Sequence, residues 1–188
     1  MPKIGLRNFH YAELTSDTES GVIYDEPVSV PGIQKADLNP NMSVDTCFAD
    51  DAPSDVATTL GKITLGLTMA DFPTKDKAFL LGHTVNTNGE MVSKSTDTPP
   101  YVAIMFECAR SDGGIEYIKL LKGKFSEGQL QAQTKEDKIN FVSDTMTGNF
   151  MKRLHDDQWK RTIISTDSGV NAIVIQDWYT SVEVESAT

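Results

Sequence analysis

Two apolar-rich runs, Tyr101–Cys108 and Ile115–Lys122, are joined by Ser111-Asp112-Gly113-Gly114. Asp and Gly reach positive φ at little cost, so the stretch from Tyr101 to Phe125 reads as a β-hairpin. The cleanest alternation lies upstream. Ile63, Leu65, Leu67 and Met69 fall on one face of a strand, and Thr64, Gly66, Thr68 and Ala70, small and uncharged, on the other. Further strands are read at Gly21–Tyr24, Val28–Ile33, Ser43–Ala49, Ile139–Met151 and Trp159–Ile164. Pro31 removes a ladder donor and points to an edge or a bulge in the second of these. Thr74–Gly82 is the clearest helix: Thr74 suits the N-cap, Gly82 the left-handed residue after the last turn, and Phe79, Leu80 and Leu81 would anchor it on a sheet. Beyond Val170, the run Ile173-Val174-Ile175 with Trp178 and Tyr179 fits a short helix or a strand.

Two turn signals, Asn39-Pro40-Asn41 and the acidic Asp50–Asp55, bound a polar excursion. Residues 37–58 are expected to form an exposed loop or long hairpin, and residues 1–18 an extended arm leading into the first strand. Hairpins outnumber helices throughout, which argues against a parallel α/β fold. The fold class expected is mainly β: an antiparallel sandwich or barrel with one flanking helix at about 74–82. At 188 residues the chain suits a single domain, 1–188, ending in a C-terminal arm from about residue 176.

Composition adds constraints rather than chemistry. Hydrophobic residues make up 39% and charged residues 23%, which marks a globular chain. No apolar run approaches the ~20 residues of a membrane span, so no membrane partner is expected. The start, Met1-Pro2-Lys3-Ile4-Gly5, lacks a signal-peptide layout, and Cys47 and Cys108 are expected to be reduced packing residues. A net charge of −10 disfavours affinity built on phosphate contacts; by itself it reads first as solubility, and it is also what a non-stick conduit for DNA would need.

No Gly-rich phosphate loop, Gly-x-Ser-x-Gly, His-Glu-x-x-His or Cys-x-x-Cys is present, and His10, His83 and His155 are far apart. No catalytic residue, cofactor or metal is therefore expected. An enzyme reading rests on the acidic pairs Asp50/Asp51 and Asp156/Asp157, but neighbours on a strand point to opposite faces and in turns such pairs are solvated. A third reading is a monomeric β-sandwich binding module, adhesin-like or carbohydrate-binding. It calls for exposed aromatics on one face, whereas Trp159, Trp178 and the tyrosines are scattered.

Four pieces, taken in order and spacing, carry a family likeness: Phe48-Ala49-Asp50-Asp51 with Ser54-Asp55; Ile63–Phe72 with Lys75–Gly82; Pro100–Ala103 through Asp112-Gly113-Gly114 to Lys122-Gly123-Lys124-Phe125; and Gln131–Lys135 leading to Ile139. With the aromatic pair Trp178-Tyr179 near the end, the chain resembles the major tail proteins of long-tailed bacteriophages, most closely the phi13-type family. The resemblance implies a β-sandwich with a flanking helix and hexameric rings that stack into a tube. It also implies a sheet continuous around the ring and a lumen through which genomic DNA passes without specific binding. Terminator, tape measure and distal tail proteins are the further partners implied, the virion tail the location, and the host cytoplasm the place of the unassembled subunit.

In that setting one basic cluster stands out. Lys119, Lys122 and Lys124 lie on or just after the second limb of the central hairpin. They read either as a solvated strand edge or as partners for Asp50, Asp51 or Asp55 of a neighbouring subunit. Exposed ion pairs are weak singly, ~0–1 kcal/mol, but a ring repeats each one.

Overall fold

A computed structural model describes residues 1–49, 52–129 and 143–183. The chain runs through β1 (Lys3–Thr18), β2 (Gly21–Tyr24), β3 (Val28–Ser29), β4 (Ile33–Ala49), β5 (Ala52–Met69) and α1 (Thr74–Leu81). It continues through β6 (Thr84–Val85), β7 (Met91–Val92), β8 (Val102–Arg110), β9 (Ile115–Glu127), β10 (Asp144–Phe150), β11 (Lys160–Ile164) and α2 (Ala172–Gln176). Nine strands form one antiparallel sheet in the order β2-β1-β8-β9-β10-β5-β4, with β11 added to β9 and β3 to β1. The sheet curls into a half-barrel. β6 and β7 make a separate two-stranded ribbon around the Asn86–Gly89 turn.

The hairpin read from the apolar pattern is the centre of this sheet. β8 pairs with β9 from Val102↔Gly123 to Ala109↔Ile115, and every residue from Val102 to Cys108 is buried. A strand covered on both faces loses its polar alternation, which is why it reads as a continuous apolar run. One face carries Ile104, Phe106, Ile118, Leu120 and Phe125 into the main core with Ile63, Leu65, Leu67 and Met69. The opposite face carries Ala103, Met105 and Leu121 to Ala12 and Val182.

A bulge divides β9. Between the pairs Val102↔Gly123 and Ile104↔Leu120, Leu121 and Lys122 together oppose Ala103. The extra residue resets the alternation, so Phe125 joins the main core, although an unbroken alternation from Leu120 would place it on the other face. Gly123 is required there: a Cβ would meet the Phe150 ring at 2.4 Å.

α1 closes the main core with Leu80 and Leu81. Its cap position is Pro73 with no side-chain cap bond, so Thr74 is the first helical residue rather than the cap. Gly82 ends the helix at φ 72°, returning its N–H toward Ala78 and Phe79 carbonyls. Phe79 is only half-buried and stacks on Tyr11 at 5.4 Å, while Leu80 is fully buried. Tyr11 ties the helix to β1 by donating to Asp76 at 2.8 Å.

Two sequence expectations meet a different arrangement, and one ambiguity is resolved. Residues 3–18, read as an arm, are a sixteen-residue strand between β8 and β2. Asn39-Pro40-Asn41, read as a turn, lies within β4: Pro40 pairs with Ile63, and the irregularity is a bulge before Met42↔Leu60. Pro is tolerated because β4 is the edge strand. The ambiguous tail holds a five-residue helix, α2, followed by turns. Of the strand read at Ile139–Met151, residues 144–150 form β10 and 139–142 lie outside the described residues, as does Gln131–Lys135.

Leu80→Ala is expected to cost about 2–5 kcal/mol in a denaturant titration, as full truncation of a buried leucine does. Phe79→Ala, half-exposed, should cost less. A larger loss for Phe79 than for Leu80 would contradict the packing of α1.

Candidate assembly interface

β4 and β5 form a hairpin of 17 and 18 residues whose two halves differ. The proximal half lies in the sheet, with Ile63, Leu65, Leu67 and Met69 buried and Ile33, Ala36 and Leu38 packed against them. At the bulge opposite Asn41, where Gly61 and Lys62 lie between Leu60 and Ile63, the ribbon leaves the sheet. Beyond it, the residues with described side chains from Asn41 to Thr59 are exposed on both faces. The cross-strand register puts Met42, Val44 and Thr46 beside Leu60, Thr58 and Val56 on one face. The other face carries Ser43, Asp45 and Cys47 beside Thr59, Ala57 and Asp55. Met42, Val44 and Val56 are 60%, 60% and 56% exposed. A lone two-stranded ribbon is marginal in water, and an apolar stripe along it adds an unmet demand for cover. β4 also forms one edge of the main sheet, so its outward backbone groups have no strand partner within the sheet.

The residues expected to meet a neighbour fall in different surroundings. Asp50 and Asp51 lie outside the described residues. Asp55 is on the polar face of the ribbon, exposed, and accepts from the Val56 N–H at 2.8 Å. Lys119 is 1% exposed and lies inside the protein. Its Nζ donates to the carbonyls of Ser181 and Val182 at 3.0 and 2.9 Å and sits 4.4 Å from the centre of the Trp178 ring. Lys122 donates to Asp17 at 2.7 Å. Lys124 stands over Tyr101 at 4.3 Å, half-exposed. In the single chain, Lys119 and Lys122 are thus occupied internally and only Lys124 retains an open side.

Sequence reasoning missed the polar cluster that holds residues 177–183 across the face opposite α1. Glu107, buried in the middle of β8, accepts from Arg7 Nε at 2.5 Å, Asn8 Nδ2 at 3.0 Å and Tyr179 OH at 3.0 Å. Asn8 reaches it from a β1 bulge at φ 57°, between Arg7↔Glu107 and His10↔Met105. Arg153, also buried, binds Asp156, Glu183 and the Tyr24 hydroxyl, and Arg161 donates to Glu183 at 3.1 Å. Burial, with Glu107 beside it, pushes the Tyr179 phenol well above its usual range. A lone Glu between Phe106 and Cys108 in an apolar strand was the available signal.

The acidic pair Asp156/Asp157 is divided between cations, Asp156 with Arg153 and Asp157 with Lys152 at 2.6 Å. The histidines also have separate partners: His10 meets the Asn8 carbonyl, His83 meets Asp97 at 2.8 Å, and His155 meets the Glu19 carbonyl. Among the described residues, no group of three His, Cys, Asp or Glu side chains could hold a metal ion. The open side of the half-barrel holds a cavity of about 510 Å³ between Lys3, Ala36–Pro40, Phe106, Ile118 and Trp159.

Compared with known proteins, the chain matches a family model described as phage tail tube protein over residues 18–174. No curated protein matches it.

Asp17 gives this region a pH signature. Burial opposes its ionisation, but the Lys122 ammonium and the N–H groups of Leu154 and His155 outweigh it and hold the carboxyl below the usual range. A depressed folded pKa contributes stability that is present above the unfolded value, about 3.9, and lost as pH falls through the folded one. Asp17→Asn should therefore lower the thermal midpoint at pH 6 and converge on wild type at acid pH, once the folded carboxyl is protonated. An equal gap at both pH values would contradict this.

Proposed function

We propose, from the premise that this chain belongs to the phage tail tube protein family, that it closes into hexameric rings and that the rings stack into the tube conducting the genome into the host. The family is one of structural proteins of the virion tail, and this reading assigns the chain no reaction. Subunits would be made in the host cytoplasm and join copies of themselves, with terminator, tape measure and distal tail proteins as the other tail components they meet.

The observation that carries the reading is the distal ribbon. It extends past the core and exposes an apolar stripe at Met42, Val44 and Val56, beside a half-buried Leu60 that packs on the main core. Contact with a second copy would cover the stripe. Asp50, Asp51 and Asp55, with the half-exposed Lys124, remain the proposed ionic contacts between subunits. Pairing of β4 along its edge with a neighbour would extend the sheet and remove the edge. Excess negative charge would let DNA move through without displacing its counterions. The binding-module reading calls for an exposed aromatic face, and among the residues with described side chains no Phe, Tyr or Trp is exposed.

Replacing Met42, Val44 and Val56 together by serine tests the reading. Each is a surface position, so the isolated subunit should change by no more than about 0.5 kcal/mol per site. Negative-stain microscopy should show tubes for wild type and none for the triple variant. Deleting residues 50–55 is expected to give the same pair of results, a folded subunit and no tubes. Normal tubes from either variant would sink the role given to the ribbon.

A further inference from the structure

Residues 177–183 lie across the sheet in turns and irregular structure. Its Trp178 and Val182 are buried against the sheet, and its acidic and phenolic groups find opposite or hydrogen-bonding partners: Glu183 on Arg153 and Arg161, Tyr179 on Glu107. Lys119 is held differently. Its ammonium touches two strap carbonyls and a ring face, and no carboxylate lies within ion-pair distance among the described residues. Neutral dipoles only partly replace the water that a buried ammonium loses. The charges facing it add little: Arg161 from β11 and Arg153 from the segment after β10 repel it, Glu183 from the strap attracts it. Asp156 is taken up by Arg153 and Arg161, and Glu107 on β8 by Arg7, Asn8 and Tyr179. Tyr117 packs near both Trp178 and Tyr179, and His10 stacks on Tyr179 at 4.5 Å. Nor is the cover sealed. A cavity of about 430 Å³ lies between Lys119, Arg161, Ile163, Val174 and Trp178, and the Trp178 Nε1–H has no partner.

We propose that residues 177–183 are a releasable strap whose closure over the sheet is set by the protonation of Lys119. Closing it takes the amine out of water. Burial first, and Arg161 second, push the buried ammonium down to about 8, against 10.5 for a free lysine. The closed state therefore holds this proton less tightly than the open state. Below about pH 7 Lys119 is charged in both states, and the full cost of burying it weakens closure. As pH rises through about 8 the closed form sheds its proton and closure strengthens, until pH passes the free-lysine value and both states are neutral. Neutral Lys119 still donates to both carbonyls, so the hydrogen bonds survive while the penalty goes.

Chymotryptic cleavage of the full chain after Trp178 or Tyr179, identified by mass spectrometry, reads the open fraction when reclosing outpaces cleavage. Rates are normalised at each pH to a free peptide spanning residues 174–183. The normalised rate should be level from pH 6 to 7 and fall on the order of tenfold between pH 7 and 9. Lys119→Met should be cleaved more slowly than wild type at pH 7 and show no fall. Lys119→Arg, which stays charged, should also lack the fall, and it decides the matter alone if the methionine variant does not fold. His10→Gln should keep the wild-type profile. A level wild-type profile, a fall that persists in Lys119→Arg, or a fall abolished by His10→Gln would overturn the proposal.

Discussion

Burial of β8 on both faces is the constraint from which the rest of the fold follows. A strand with Val102 to Cys108 all inside needs two covers, and one sheet supplies none by itself. Curling the sheet provides the first, bringing β5 and α1 over Ile104, Phe106 and Leu120. Residues 177–183 provide the second, over Ala103, Met105 and Leu121. The second cover is the more polar of the two because Glu107 and Lys119 point into it. Leaving a charge such as Glu107 buried without partners costs about 3–5 kcal/mol, enough to make the supporting groups structural necessities. The β1 bulge that carries Asn8 into left-handed backbone, and the placement of Tyr179, both serve that carboxylate.

Fold and assembly occupy different parts of the molecule. The core ends near Ile63 and Pro40, where a bulge turns the β4–β5 ribbon out of the sheet. Past that point the ribbon adds almost nothing to the subunit's own stability, and its stripe of Met42, Val44 and Val56 is free to be matched to a partner. In the proposed tube, that separation would leave the subunit's own core intact while the exposed stripe is kept for contact with other copies.

Much of the fold was legible in the sequence because local patterns agreed with the final packing. The 101–125 hairpin, the alternating strand at Ile63–Met69 and the Gly82 helix end each rest on neighbours in sequence. What was illegible depends on distant partners. Asn39-Pro40-Asn41 carries every local sign of a turn, yet pairing with β5 holds it extended as a bulged edge strand. Lys119 looks like surface charge in sequence, and the strap that covers it arrives from 62 and 63 residues downstream. The stripe of the ribbon could have been read: Met42, Val44 and Thr46, then Val56, Thr58 and Leu60, keep period two on both sides of an acidic turn.

The central claim is that the exposed ribbon of one subunit is completed by another copy of the same chain. Cryo-electron microscopy of the purified protein at assembling concentration tests it most directly. Six-fold tubes are predicted, with Met42, Val44 and Val56 buried against a second subunit. Particles that remain single subunits, or tubes in which that stripe faces solvent, would contradict it.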